Sequence, residues 1–185
     1  MKIKLTLIAA VSLLTCNTFT YGAVITDFGT SSFTVDAINT DFSTVNQSGS
    51  DIGLIGTDSS ILVGTISGFD ISGFSSFELT GAVTGTNPNS QFIFEFYDSG
   101  LNKSTYTAFT SSFGVTATAV VLNFSSSDVG FNPNDVIALQ YSGAGSGSAI
   151  NLNLSKLEAV PEPATWALLA GSLTTIVVLR RRRRP

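Results

Sequence analysis

The sequence predicts an all-β fold, an antiparallel, jelly-roll-like β-sandwich of about eight to ten strands, on three observations. The middle of the chain is rich in Ser, Thr, Gly, Asn, Val, Ile and Phe and poor in strong helix formers. β-Branched and aromatic residues suit a half-buried pleated surface. Several short runs alternate in character, most clearly residues 91–97, where Phe92, Phe94 and Phe96 share one face and Ile93, Glu95 and Tyr97 the other. Polar turn formers separate these runs, at residues 46–50, 86–89, 98–100, 132–135 and 143–148.

Taken in order, the chain opens with Lys2 and Lys4, an apolar stretch over residues 5–14, and then polar and small residues. That is the layout of a secretory signal peptide, handled by the Sec export machinery. A cut after Gly22 leaves small Thr20 two positions upstream, whereas a cut after Ala23 would place bulky Tyr21 there. Residues 1–22 are therefore read as the signal peptide. The rival is a lipoprotein signal with Cys16 as the lipidated residue, which Thr15 fits poorly because it is bulkier than the Gly or Ala usual before such a cysteine.

Residues 23–158 follow as one domain. Strands are expected at residues 75–84, 91–97, 115–124, 136–142 and 149–157, with weaker candidates at 23–28, 32–38, 51–55 and 60–67. In 149–157, Ile150, Leu152 and Leu154 alternate with asparagines. Ser-Ser-Phe recurs at 31–33, 75–77 and 111–113, and Ile-Ser-Gly-Phe at 66–69 and 71–74, but the uneven spacing argues against a repeat fold.

The C-terminal part has three pieces. Val160-Pro161-Glu162-Pro163 lies in a short linker, residues 159–163, whose two prolines enforce an extended segment. Residues 164–179 carry no charge, and as a helix they would reach about 24 Å against a hydrocarbon core of about 30 Å. Arg180, Arg181, Arg182, Arg183 and Arg184 then form a basic tail, residues 180–185. Five adjacent guanidinium groups are not buried without partners. They can snorkel to the headgroups and hold that end in the cytoplasm, with Trp166 near the opposite interface. The expected topology is a domain outside and arginines inside.

These residues, from Val160 through the Gly-containing apolar segment to the arginine cluster, closely resemble the PEP-CTERM sorting signal. The resemblance implies processing near the motif by a membrane exosortase, a transient stay in the inner membrane, and delivery to the cell surface or its extracellular exopolysaccharide matrix. The domain itself weakly resembles carbohydrate-binding-module jelly rolls, through residues 77–81, 92–98 and 150–154.

Composition narrows the chemistry further. Residues 24–158 hold twelve carboxylates against Lys103 and Lys156, a net charge of −10 that the whole-chain value of −4 conceals. Such a surface repels nucleic acid and anionic lipid. The chain has no histidine and one cysteine, within the signal peptide, which excludes His- or Cys-based zinc sites and histidine-dependent nucleophilic catalysis in the exported domain.

The candidate sites are few. Tyr97 and Tyr106, joined by Tyr141, suit stacking on sugar rings, or equally the rim of an ordinary sandwich. Glu78 and Glu95 both point away from phenylalanine faces and are expected on one outer surface. There they serve as a glycosidase pair, or as solvated charges that block edge-to-edge aggregation. Asp51, Asp58, Asp98, Asn134 and Asp135 are turn formers first and calcium ligands second. The functional expectation is a non-catalytic surface or matrix protein that binds polysaccharide at Tyr97, Tyr106 and Glu95, with no catalytic residue. The alternatives are a small glycan-acting enzyme using carboxylates alone and a purely structural matrix protein.

Overall fold

The computed structural model describes residues 23–160, which form eleven β-strands and one short 3-10 turn, Thr110–Ser112. The expected signal peptide, the Pro161-Glu162-Pro163 motif, the helix over 164–179 and the Arg180 to Arg184 tail lie outside the described residues. Among the described residues no helix is long and apolar enough to cross a membrane.

The strands are β1 (Ala23–Thr26), β2 (Phe33–Val35), β3 (Thr44–Ser48), β4 (Asp51–Thr57), β5 (Ile61–Phe69) and β6 (Ser76–Thr84). They continue as β7 (Gln91–Asp98), β8 (Lys103–Phe109), β9 (Thr118–Ser127), β10 (Val136–Gly143) and β11 (Ala149–Val160). All pairings are antiparallel, in the order β2-β5-β10-β7-β8-β9-β6-β11-β4-β3, with β1 added to β11. Strand β9 makes this one sheet curl into two layers. Its first half pairs with β6, Leu122 opposite Phe77, and its second half pairs with β8, Asn123 opposite Thr107.

The core lies between the two layers and follows from the alternation. Phe77, Leu79 and Val83 of β6 point inward from one half, and Phe92, Phe94 and Phe96 of β7 from the other. Across the gap the Phe77 ring sits 4.8 Å from Phe96 and 5.1 Å from Tyr106, and Phe92 stacks on Phe113 at 5.5 Å. Each such side chain contributes roughly 1.5–3 kcal/mol by leaving water. In β11 the inward set Ile150, Leu152, Leu154 gives way to Leu157 and Ala159, a change of phase at a register shift between Leu154 and Lys156. One extra residue there keeps the face apolar over twelve residues.

Two expectations need correction. The strand number exceeds the expected eight to ten because β3 and β8 were not foreseen. Strand β3 is an edge strand with no buried residue, and β8 buries only Ser104, Tyr106 and Ala108 on its inner face. The sheet also runs past residue 158. Ala159, fully buried, sits opposite Ala23 and Phe77, and Val160 opposite Ser76, so these two residues belong to the sandwich rather than to a linker.

Candidate functional site

With Phe92, Phe94 and Phe96 turned inward, β7 presents Ile93, Glu95 and Tyr97 on the outer face of its layer. Register places Thr105 of β8 and Gln140 of β10 on either side of Glu95. Lys103 and Ala138 flank Tyr97 in the next row. Glu95 becomes the centre of a closed network. Its Oε1 accepts from Lys103 Nζ at 2.6 Å and from Thr105 Oγ1 at 3.3 Å. Its Oε2 accepts from the Tyr97 hydroxyl at 2.8 Å and from Gln140 Nε2 at 3.2 Å.

Although Glu95 lies on an outer face, it is only 5% exposed. Four donors, one of them cationic, offset the cost of removing that carboxylate from water. Burial, and then the hydrogen bond to Glu95, raise the Tyr97 phenol above its ordinary pKa, so it remains a neutral donor. The same face continues to Phe109, opposite Gln91 and half exposed. The arrangement offers a partly exposed tyrosine ring held in place, an exposed apolar ring, and amide and ammonium groups fixed by a shared acceptor. Ring packing and directed hydrogen bonds to hydroxyl groups are the chemistry that such groups support.

Of the residues expected to line a sugar site, the structure brings together Tyr97 and Glu95 and removes two others. Tyr106 lies opposite Phe94 and therefore faces inward, 6% exposed, packed edge-on against Phe77, Phe96 and Phe124. Tyr141 is 2% exposed beside Phe92 and Phe42. Burial raises both phenols, and neither ring is open for stacking. Glu78 is not on the Glu95 face either. It lies on the outer face of the opposite layer, between Glu158 and Val121. The residues the sequence did not single out are Lys103, Thr105, Gln140 and Phe109. Lys103, one of two lysines in the domain, was the signal available for the first.

The acidic turn residues have structural partners. Asp58, 1% exposed, accepts from the Gly147 N–H at 2.7 Å, the Ser146 N–H at 3.3 Å and the Ser90 hydroxyl at 2.5 Å. It thereby ties together the β4–β5, β6–β7 and β10–β11 connections. Gly145 passes so close that a Cβ there would overlap the carboxylate. Asp98 accepts from the N–H groups of Asn102 and Asn132 at 2.9 and 2.8 Å. In both, N–H groups point where a cation would have to sit. Asp51 starts β4, Asn134 donates to the side chain of Asn132, and the N–H of Asp135 donates to the Asn132 carbonyl. Among the described residues no three His, Cys, Asp or Glu converge on a metal position.

Comparison with known proteins adds two findings. Residues 159–184 match the family described as the PEP-CTERM protein-sorting motif. Among solved structures, an agarase aligns with TM-score 0.54 and 11% identity, over 76% of this chain and 25% of that one. An exo-β-agarase aligns with TM-score 0.53 and 10% identity, over 78% and 25%. A family 11 carbohydrate-binding module from Clostridium thermocellum, in complex with a β-1,3-1,4-mixed-linked tetrasaccharide, aligns with TM-score 0.50 and 10% identity, over 76% and 96%. This chain thus spans about a quarter of the agarases' length and nearly all of the module's. The likeness is one of fold. No curated protein matches the sequence.

Proposed function

We propose that this protein is displayed at the cell surface or in its extracellular matrix and holds a neutral polysaccharide there, without catalysis, on the face centred on Glu95. The PEP-CTERM motif implies an exported protein processed at the membrane by an exosortase-type enzyme. Its sandwich shares its fold with a module whose bound ligand is a β-1,3-1,4-linked tetrasaccharide. The observation that carries the reading is the closed Tyr97–Glu95–Lys103–Gln140 network on an outer sheet face. A buried carboxylate with four donors on a solvent-facing surface costs more than a solvated sheet face requires. It is economical as a means of fixing Tyr97 and Gln140 for a ligand.

The non-catalytic part of the reading is supported by the state of Glu95. A general acid needs a transferable proton, and a nucleophile needs a free lone pair aimed at the substrate. Glu95 is engaged on both oxygens, and Glu78 lies on the opposite layer.

The test is binding of the full-length chain, purified in detergent, to polysaccharide prepared from the producing cells, with and without calcium. Saturable binding that weakens about tenfold or more in Tyr97→Ala is expected. Glu95→Gln, which keeps the shape but breaks the lysine pair, should weaken it as well. Undiminished binding in both variants would remove the site, and release of reducing ends would remove the non-catalytic claim.

A further inference from the structure

On the outer face of the opposite layer, strands β3, β4, β11 and β6 form a groove of about 350 Å³. Register sets Asn46, Gly53 and Asn153 in one row and Ile55, Asn151 and Thr84 in the next. Four neighbouring strands make this surface about 14 Å wide. Asparagine is disfavoured in strands, so three on one sheet face call for an explanation beyond folding.

Elsewhere in the domain asparagine side chains serve the fold: Asn39 holds Asp36, Asn87 holds the Phe113 carbonyl and Asn102 holds Asp98. Asn46, Asn151 and Asn153 instead face solvent, with no side-chain hydrogen-bond partner among the described residues. None of the residues lining the groove is charged. An amide both donates and accepts, as a sugar hydroxyl does. Half-exposed Ile55 supplies an apolar contact, and Gly53 keeps the floor open.

The geometry points to a second polysaccharide site in this groove, for a neutral chain lying across the asparagine rows. Together with the Glu95 face, on which this part of the inference rests, it makes the sandwich two-faced and able to cross-link two polymer strands. Other occupants fit less well. The domain's charge of −10 opposes a second copy and an anionic polymer alike. A peptide adding to the β3 edge would use its backbone groups rather than this face.

Gly53 provides a clean perturbation. A Cβ there meets only the Asn46 carbonyl oxygen at 3.6 Å and Cβ at 4.0 Å, both ordinary contacts. Gly53→Val fills the groove with a residue better suited to a strand, so the thermal midpoint should hold or rise. The probes are polysaccharide from the producing cells, mixed-linked β-1,3-1,4-glucan and agarose. The full-length wild type, Gly53→Val, Tyr97→Ala and the double variant are compared for binding and for cross-linking, read as turbidity at limiting protein.

Each single variant should still bind but no longer cross-link, and the double variant should bind about tenfold more weakly than either. Asn151→Ala combined with Asn153→Ala should reproduce the Gly53→Val behaviour from exposed positions alone. If the double variant binds as Tyr97→Ala does, the groove is not a site. If Gly53→Val alone abolishes binding while Tyr97→Ala changes nothing, the groove stands and the Glu95 face fails. Wild-type protein that binds no probe overturns both. Self-association lost in Gly53→Val, with sugar binding unchanged, would make the groove a contact between copies and overturn the inference.

Discussion

Replacing Asp58 with alanine removes a carboxylate that is 1% exposed and joins three connections of the sandwich. Two backbone N–H groups, of Gly147 and Ser146, and the Ser90 hydroxyl donate to it. A hydrogen bond to a charged group contributes about 1.5–3 kcal/mol, so losing the two backbone bonds alone costs about 3–6 kcal/mol. Ser90 can turn to another partner, but the two N–H groups are fixed by the β10–β11 loop. Against a typical total of about 5–15 kcal/mol the loss is large, and at roughly 4 °C per kcal/mol it lowers Tm by about 12–24 °C.

The same residue predicts a pH dependence. The hydrogen bond from Ser90 lowers the Asp58 pKa below its ordinary 3.8, and the N–H groups of Gly147 and Ser146 add to this against the opposing effect of burial. A folded pKa below the unfolded one means the stabilisation is fully present above about pH 4 and is lost as pH falls through the folded value. Thermal unfolding by circular dichroism, at pH 7 and again near pH 3, should show a gap between wild type and Asp58→Asn that narrows in acid. An Asp58→Ala midpoint within about 2 °C of wild type at pH 7 would refute the clamp.

Gly145→Ala should destabilise by about 1–3 kcal/mol through overlap with the Asp58 carboxylate. Because the added Cβ meets the Asp58 carboxylate itself, Asp58→Ala and Gly145→Ala together should cost less than their sum in denaturant titrations. Tyr106→Phe should leave both Tm and polysaccharide binding near wild type, since its hydroxyl makes only a 3.5 Å contact with Ser104. Tyr106→Ala should cost about 3–5 kcal/mol by emptying the core. Changing Pro161, Glu162 and Pro163 together to alanine should leave an uncut precursor in the membrane fraction, seen by its size on an immunoblot. Polysaccharide binding should change little from low to high salt, because the two faces make no use of long-range charge.

The parts of the fold legible in the sequence were those with a local period. Strands β6, β7, β10 and β11 announce themselves because bulky apolar residues recur every second position. Strand β8 did not, because its inner face is Ser104, Tyr106 and Ala108, and without recognising the strand there was no parity to send Tyr106 inward. The Glu95 network was legible only at its ends. Glu95 and Tyr97 are two residues apart on one strand, whereas Gln140 comes from 45 positions away through a pairing that no local pattern fixes. Glu78 and Glu95 were each correctly placed outside their phenylalanine faces. What separated them was β9, which pairs with β6 in one layer and β8 in the other and so sets the two carboxylates on opposite sides of the molecule.

The charge distribution bears on both proposals, the two polysaccharide faces and display outside the cell. Both lysines of the domain are already engaged, Lys103 with Glu95 at 2.6 Å and Lys156 with Glu158 at 2.9 Å. The domain therefore presents an anionic surface with its cations paired, which keeps copies apart and turns away acidic polymers. A polymer can approach such a surface only where the lining is uncharged or internally neutralised. The asparagine groove is the first kind of place, and the Glu95–Lys103 pair makes the opposite face the second. On the proposed reading, neutral hydroxyl-rich chains are the partners that both surfaces would admit, and opposite faces on one small sandwich would let a single displayed copy engage two of them.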